Sequence, residues 1–176
     1  MGDFFSRILR AAKLDVSLYE EVEADQNALA QATLTVVLSS LAAGIGMVFV
    51  LGIGSILTST IAALIGWYIW AFLTFFIGTK FLPETETEAD YGQLLRTLGF
   101  ASSPGLIRIF GIIPGLTEII NFIAMVWMLV AMVIAVRQAL DYKSTLRAVI
   151  VCIIGWVIQW LIIMFLYAVF GASPYF

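Results

Sequence analysis

The sequence contains no histidine, a single cysteine and few charged residues, which make up 12% of its 176 residues. Without histidine, the commonest general acid–base catalyst is missing. The lone Cys152 cannot form an intramolecular disulfide or a thiolate metal cluster. Soluble domains carry about a quarter charged residues, so the polar surface is too small to cover a globule in water. These absences exclude most familiar enzymes and a water-soluble fold.

The chain has long apolar runs instead, with 62% hydrophobic residues. A helix needs about 20 apolar residues to cross the hydrocarbon core of a bilayer, and continuous runs of that length favour helices over barrel strands. The sequence therefore predicts an all-α, polytopic membrane protein, a bundle of five transmembrane helices over residues 27–176 with a short amphipathic region, 1–26, before it. The five predicted spans are residues 28–51, 57–81, 94–113, 117–136 and 146–170.

Lysine and arginine predict the orientation of these spans, because both are enriched in cytoplasmic loops. With five crossings and a cytoplasmic N-terminus, eight of the nine cations lie inside, and only Arg108 lies toward the outside. The C-terminus then lies outside. The expected location is a prokaryotic plasma (inner) membrane.

Residues 1–26 lack the apolar core of a signal peptide and are predicted to form two short helices. On a helical wheel, the apolar residues of the first helix share one face, and its polar residues share the other. The apolar set is Phe4, Phe5, Ile8, Leu9 and Ala12, and the polar set is Asp3, Ser6, Arg7, Arg10 and Lys13. This pattern favours a helix in the membrane interface with its cations against lipid headgroups. The alternative is a helix packed on the cytoplasmic ends of the bundle.

The N-terminal ends of two helices also have candidate capping residues. Ser17 and Glu20 fit a capping box for the second helix of the N-terminal region. Asp25 is placed to cap the first span.

The third predicted span contains helix breakers at its centre. Proline removes a backbone donor and clashes with the preceding turn, and lipid offers no partner for the carbonyls that it frees. Ser103 is placed to cap a second half-helix that begins at Pro104. The sequence predicts a break here, and therefore a helix that its neighbours surround. The residues of this predicted break are Gly99, Ser102, Ser103, Pro104 and Gly105.

Four polar side chains inside or near the spans are candidate contacts for a partner or ligand. Arg108 lies near the outer end of the third span, where it can reach the headgroups and Glu118. The alternative for Arg108 is a charge that lines an ion pathway or a ligand site. Asn121 and Gln159 are amides within spans, which more often join helices than bind ligands.

The cytoplasmic side is predicted to carry two acidic clusters. The first consists of Glu20, Glu21, Glu23 and Asp25, and the second of Glu84, Glu86, Glu88 and Asp90. Most such runs are simply solvated. If the two clusters met, they could bind a basic partner or a divalent cation, since hard cations prefer several carboxylate oxygens.

The tryptophans fall near the middle of the predicted spans rather than at the interfaces. They are Trp67, Trp70, Trp127, Trp156 and Trp160. Such residues can line a lipid or pigment pocket, although filling gaps between helices is their commoner use.

Several motifs resemble a bacterial member of the YIP (Ypt-interacting, Yip-domain) family of membrane proteins. They are YEEVEAD near the N-terminus, YGQLLRTLGFASSPGL after the acidic loop, IIPG, and VRQAL at the end of a span. Within them, Gly99 to Pro104 is similar to the family's Gly-Tyr-x-x-x-Pro signature with phenylalanine for tyrosine. The resemblance implies a five-helix membrane fold with a cytoplasmic N-terminus. Eukaryotic members are linked to Rab-type GTPases, vesicle trafficking and membrane shaping.

The sequence shows no phosphate loop, no metal-ligand spacing and no nucleophile beside a base. It therefore predicts a membrane scaffold or membrane-organising protein without catalytic activity, cofactor or bound metal. The expected partners are membrane lipids and either another membrane protein or a second copy of this chain, and not nucleic acid. The alternative is a small channel or transporter built on the broken third helix from Ser102 to Arg108. That alternative requires a hydrated cavity that reaches the region from Ser102 to Arg108, whereas a scaffold can pack this region dry.

Overall fold

A computed structural model describes residues 2–85 and 87–170, and within these ranges the chain forms helices and no strand. Eight α-helices follow one another in the described part of the chain. They are α1 Gly2–Ala12, α2 Val16–Ala24, α3 Ala28–Gly46, α4 Val48–Leu51, α5 Gly54–Phe76, α6 Tyr91–Phe100, α7 Thr117–Ala139 and α8 Thr145–Phe170. A π-helical turn, Ile77–Phe81, extends α5, and a 3-10 helix, Ser103–Ile112, follows α6. The all-helical class predicted from the sequence is confirmed.

Four of the described helices are long and apolar enough to cross a membrane, one fewer than predicted. These segments are Ala28–Gly46, Ile56–Phe81, Thr117–Ala139 and Thr145–Ile162. The first span is shorter than the predicted 28–51, because the helix stops at Gly46 and a separate short turn, α4, follows. The outward faces of α5, α7 and α8 carry exposed large apolar side chains, as lipid-facing helices do.

The third predicted span is not one continuous helix, so five unbroken spans are not found in the described chain. Instead α6 and the 3-10 helix together run alongside α3. A Cβ on Gly99 would lie 2.7 Å from that of Ala32 near the start of α3, and one on Gly111 would lie 3.2 Å from the Gly46 carbonyl oxygen at its end. At about 1.5 Å of rise per residue, the two halves follow α3 for most of its length. Residues 94–105 are all buried, so this segment forms the centre of the bundle.

The break lies between Phe100 and Ser103, and its serine hydroxyls act differently from the prediction. Ser102 Oγ donates to the Gly99 carbonyl at 2.5 Å, and Ser103 Oγ donates to the Phe100 carbonyl at 2.6 Å. No serine side chain caps the 3-10 helix, in which Pro104 occupies the first turn. The predicted cap at Ser103 was therefore wrong. Both hydroxyls instead satisfy carbonyls of the last turn of α6, which a helix end leaves without partners.

The N-terminal helices α1 and α2 form a layer in which α2 packs against α6 and α7, and α1 packs against α2 and the 3-10 helix. Leu18, Tyr19 and Val22 of α2 are fully buried in this layer. The side chain of Asp15 caps α2 by accepting a hydrogen bond from the Ser17 backbone N–H at 3.1 Å. The predicted capping box of Ser17 and Glu20 was therefore wrong.

Helix α1 differs from the prediction in where its arginines lie, since Arg7 and Arg10 pair with acids of the protein. Arg7 is only 8% exposed and turns inward, whereas Phe5 and Leu9 are 64% and 56% exposed on the outer surface. The buried side of α1 mixes the two predicted faces, because Ile8 is buried beside Arg7, whereas Ser6 and Lys13 of the polar set are exposed. Arg7 faces inward because acidic partners lie on α2 and just before α3, at Glu21 and Asp25.

Candidate functional site

A cavity of about 310 Å³ lies between α3, α5, α7 and α8. Its inner wall includes Leu98 of α6, Ser102 at the break and Arg108 of the 3-10 helix. Ligand sites in proteins have volumes of about 300–1,000 Å³. The cavity is therefore large enough for a small ligand, and it adjoins the broken third segment.

The broken segment packs closely against two of the helices that line the cavity. A Cβ on Gly105 would lie 2.1 Å from Ser39 Oγ and 2.9 Å from Met128 Sδ, so α3 and α7 both approach the chain closely there. Helix α8 contacts both α5 and α7. A Cβ on Gly66 of α5 would lie 3.6 Å from Gln159 Nε2 of α8.

Arg108 lines this cavity, and the structure places it away from Glu118. Its Nε atom is buried and has no hydrogen-bond partner, and no ion pair joins Arg108 to any acid among the described residues. Glu118 is exposed at the start of α7. An arginine keeps its charge inside proteins, so the cavity has a positively charged wall.

Two further polar side chains, Trp70 and Gln159, line the cavity. Trp70 is only 9% exposed, and its Nε1 donor has no hydrogen-bond partner among the described residues. The Gln159 amide lines the same cavity from α8. Asn121 does not line it, because its amide donates to the Thr117 carbonyl of its own helix at 2.8 Å and to Met47 Sδ at 3.4 Å.

Sequence reasoning missed the apolar part of this wall. Met125, Met128 and Met132 line the cavity from α7, and their spacing places them on one helix face. Three methionines at that spacing could have indicated an adaptable surface, since the thioether side chain fits irregular shapes. Trp67, Trp70 and Trp156 also line the cavity, which agrees with the pocket alternative for the tryptophans.

The first acidic cluster belongs mainly to an ion-pair network of the N-terminal layer. Glu21 accepts from Arg7 Nε at 2.9 Å and from Arg10 Nη1 at 2.5 Å, and Asp25 lies 3.0 Å from Arg7 Nη2. Hydrogen bonds from Arg10, and then from Arg7, lower the pKa of Glu21. The hydrogen bond from Arg10, and then the one from Ser17, lower the pKa of Asp15 to about 2. These acids therefore hold α1 against α2 rather than facing a partner.

Glu23 is the exception in this cluster. Burial raises its pKa to about 7, and the nearby negative charges of Asp141, Glu20 and Asp90 add to the shift, while Arg96 opposes it. Asp90 belongs to the second predicted cluster, so the two clusters meet at one residue. Glu20 instead accepts a hydrogen bond from the Gln138 amide at 2.9 Å.

The remaining members of the second cluster do not converge with the first. Glu84 pairs with Arg147 at 3.3 Å and accepts from the Lys143 backbone N–H at 2.9 Å, beside the loop between α7 and α8. Glu88 is exposed, and Glu86 lies outside the described residues. Within the described ranges, no group of three or more acidic or cysteine side chains is placed to hold a metal ion.

The long apolar helices with a polar layer at one end define the class of this molecule. It is an α-helical integral membrane protein with several spans. The Yip1 domain matches residues 16–168, and the chain therefore belongs to the Yip1 domain family. This match begins at α2 and leaves α1 outside. No curated protein and no solved structure matches the chain.

Proposed function

We propose that this protein is a membrane-organising protein without catalytic activity, which acts through the α1 helix. The observation that supports this is the arrangement of α1: Arg7 and Arg10 are held in an ion-pair network, and Phe5 and Leu9 project outward. An amphipathic helix in the interface inserts its apolar side chains into one leaflet only. Because α1 is fixed to the transmembrane bundle, its apolar side chains would enter that leaflet at a fixed position next to the protein.

The surroundings of α1 support its immersion in lipid. Trp127 Nε1 of α7 donates to the Ala12 carbonyl at the end of α1 at 2.8 Å. The neighbouring residues of α7 include Phe122 and Val126, which are 63% and 43% exposed and apolar. The outer face of α1 therefore lies next to a surface that a bilayer would cover.

The proposal includes a topology. The cations favour a cytoplasmic N-terminus and an outside C-terminus in a prokaryotic plasma membrane. The course of α6 and the 3-10 helix beside α3 supports a fifth, broken crossing, which this topology requires. Membrane lipids are the proposed partners, together with another membrane protein or a second copy of this chain.

The shape of reconstituted vesicles tests this role. The full chain is inserted into vesicles at increasing protein content, and vesicle diameters are measured by electron cryomicroscopy. We expect the wild type to shift the diameters and the double variant Phe5→Ser/Leu9→Ser to lose that shift, because serine removes most of the apolar area that enters the leaflet.

A matched control exists at the far end of α3. Phe49 and Leu51 of α4 are 79% and 63% exposed, similar to the α1 pair. The variant Phe49→Ser/Leu51→Ser should retain the effect of the wild type. Equal diameters for the wild type and the α1 variant would contradict the proposal.

A small channel or transporter is the second candidate, and the position of the cavity at Ser102 and Arg108 favours it. It predicts solute or ion flux into vesicles that contain the pure protein, and loss of that flux in Arg108→Ala. Flux no greater than in protein-free vesicles would exclude this candidate.

A further inference from the structure

We infer that the cavity between α3, α5, α7 and α8 binds an anionic amphiphile, with its oxygen-rich head group at Arg108 and its apolar chain along the methionine and tryptophan side chains. Such a ligand combines a phosphate or carboxylate with a hydrocarbon tail. The inference concerns the cavity alone and is independent of the role proposed for α1.

The charge of Arg108 is the first reason. Its Nε is buried without a partner, and the residues that line the cavity include no carboxylate. The residue as a whole is half-buried, so its charge is partly removed from solvent without an acidic partner in the described chain. The oxygens of an anion would accept from the guanidinium, whose planar donors match phosphate and carboxylate in pairs.

The unpaired donor of Trp70 is an independent second reason. More than about 90% of buried polar groups have a hydrogen-bond partner, yet Trp70 Nε1 has none and its side chain is 91% buried, given 9% exposure. The two side chains that carry these donors, one on α5 and one on the 3-10 helix, line a single cavity. Both require an acceptor, and neither would favour a cationic ligand.

The rest of the wall fits a hydrocarbon chain. Met128 and Met132 supply flexible thioethers, and Leu129 adds a branched apolar side chain. Leu129 and Trp156 are also 49% and 62% exposed on the outer surface of the bundle. These two residues therefore border both the cavity and the lipid, so a chain can enter from the bilayer.

The test compares three probes on the full chain in mild detergent, with bound species measured by native mass spectrometry. Oleoyl lysophosphatidate carries both the phosphate and the chain, monooleoylglycerol carries the chain alone, and inorganic phosphate carries the anion alone. We expect the wild type to bind lysophosphatidate roughly tenfold or more tightly than monooleoylglycerol, because charge-assisted hydrogen bonds are the strong ones. Inorganic phosphate alone should not displace the amphiphile at comparable concentrations.

Substitutions at Arg108 locate the head group. Arg108→Gln should remove the preference for lysophosphatidate, and Arg108→Lys should restore part of it. Lys80→Gln removes an equal charge from an exposed residue of the π-helical turn and should leave the preference unchanged. Equal binding of the two amphiphiles by the wild type, or an unchanged preference in Arg108→Gln, would overturn the inference.

A second variant tests the site without removing a charge. Trp70→Phe keeps an aromatic ring and deletes only the Nε1 donor, so lysophosphatidate should bind about three- to tenfold more weakly. Unchanged binding in this variant would contradict the role of Trp70. Displacement by inorganic phosphate at equal concentration would show a site for a free anion and would overturn the amphiphile assignment.

Discussion

Arg96 and Arg108 lie on the two halves of the broken third segment, and their surroundings are opposite. Arg96 is 7% exposed and donates from Nε to the Val22 carbonyl at 3.0 Å and from Nη2 to the Glu23 carbonyl, at the end of α2. Arg108 has no partner in the described chain and lines a cavity. The comparison shows that two arginines in similar apolar sequence have different roles, one joining two helices and the other available to a ligand.

The largest expected effect is a difference in unfolding free energy between variants of Arg96 and variants of Arg108. Arg96→Met should lower the free energy of unfolding by about 2–5 kcal/mol, because two carbonyls of α2 lose their buried donor. Arg108→Met should leave it unchanged or raise it, because a half-buried charge without an acidic partner is replaced by an apolar side chain of similar length. Unfolding in mixed detergent micelles measures both. Equal losses in the two variants would remove the distinction.

A smaller effect is expected where the broken segment passes α3. Gly105→Ala should cost about 1–3 kcal/mol, because the new Cβ would meet Ser39 Oγ at 2.1 Å. The double variant Gly105→Ala/Ser39→Ala should recover most of this loss, since the Ser39 Cβ lies at 3.5 Å. Gly54→Ala is the control, because a Cβ there meets nothing within 4 Å. No recovery in the double variant would show that other contacts set this spacing.

The smallest effect concerns Glu23, next to the contact that Arg96 makes. Its pKa is about 7 in the folded protein, above its ordinary 4.5. The folded state therefore binds the proton more tightly, and this contribution to stability is present below about pH 4.5 and lost as the pH rises through about 7. The unfolding free energy of the wild type should fall between about pH 5 and pH 8 by on the order of 1 kcal/mol after solvent screening.

The variant Glu23→Gln should make stability flatter over this pH range, because glutamine does not titrate. The exposed Glu88 provides a matched control, and Glu88→Gln should retain the slope of the wild type. A slope that survives in Glu23→Gln would assign the titration to another group.

Much of the architecture could be predicted from single segments. The apolar runs identified α3, α5, α7 and α8 to within a few residues, except at the end of α3. Proline and serine also indicated a break near Ser103. The prediction that Arg108 meets Glu118 was wrong, because Arg108 lines the cavity and no ion pair joins the two residues in the described chain.

The orientation of α1 was also beyond what the sequence pattern could predict. A helical wheel separates Arg7 from Phe5 correctly, but it contains no information about which face meets the bundle. Lipid and a protein surface rich in apolar atoms attract the same side chains. The acidic partners from α2 and the start of α3 decided the outcome, and they are distant in sequence.

The sequence by itself determined that this protein is helical, enters a membrane and breaks its third segment, since apolar length and backbone chemistry act locally. Only the tertiary structure decided which arginine is paired and where a cavity forms. Partners for a buried donor come from residues far apart in the chain, such as Val22 for Arg96. A cavity likewise depends on how several helices diverge, which no single segment encodes.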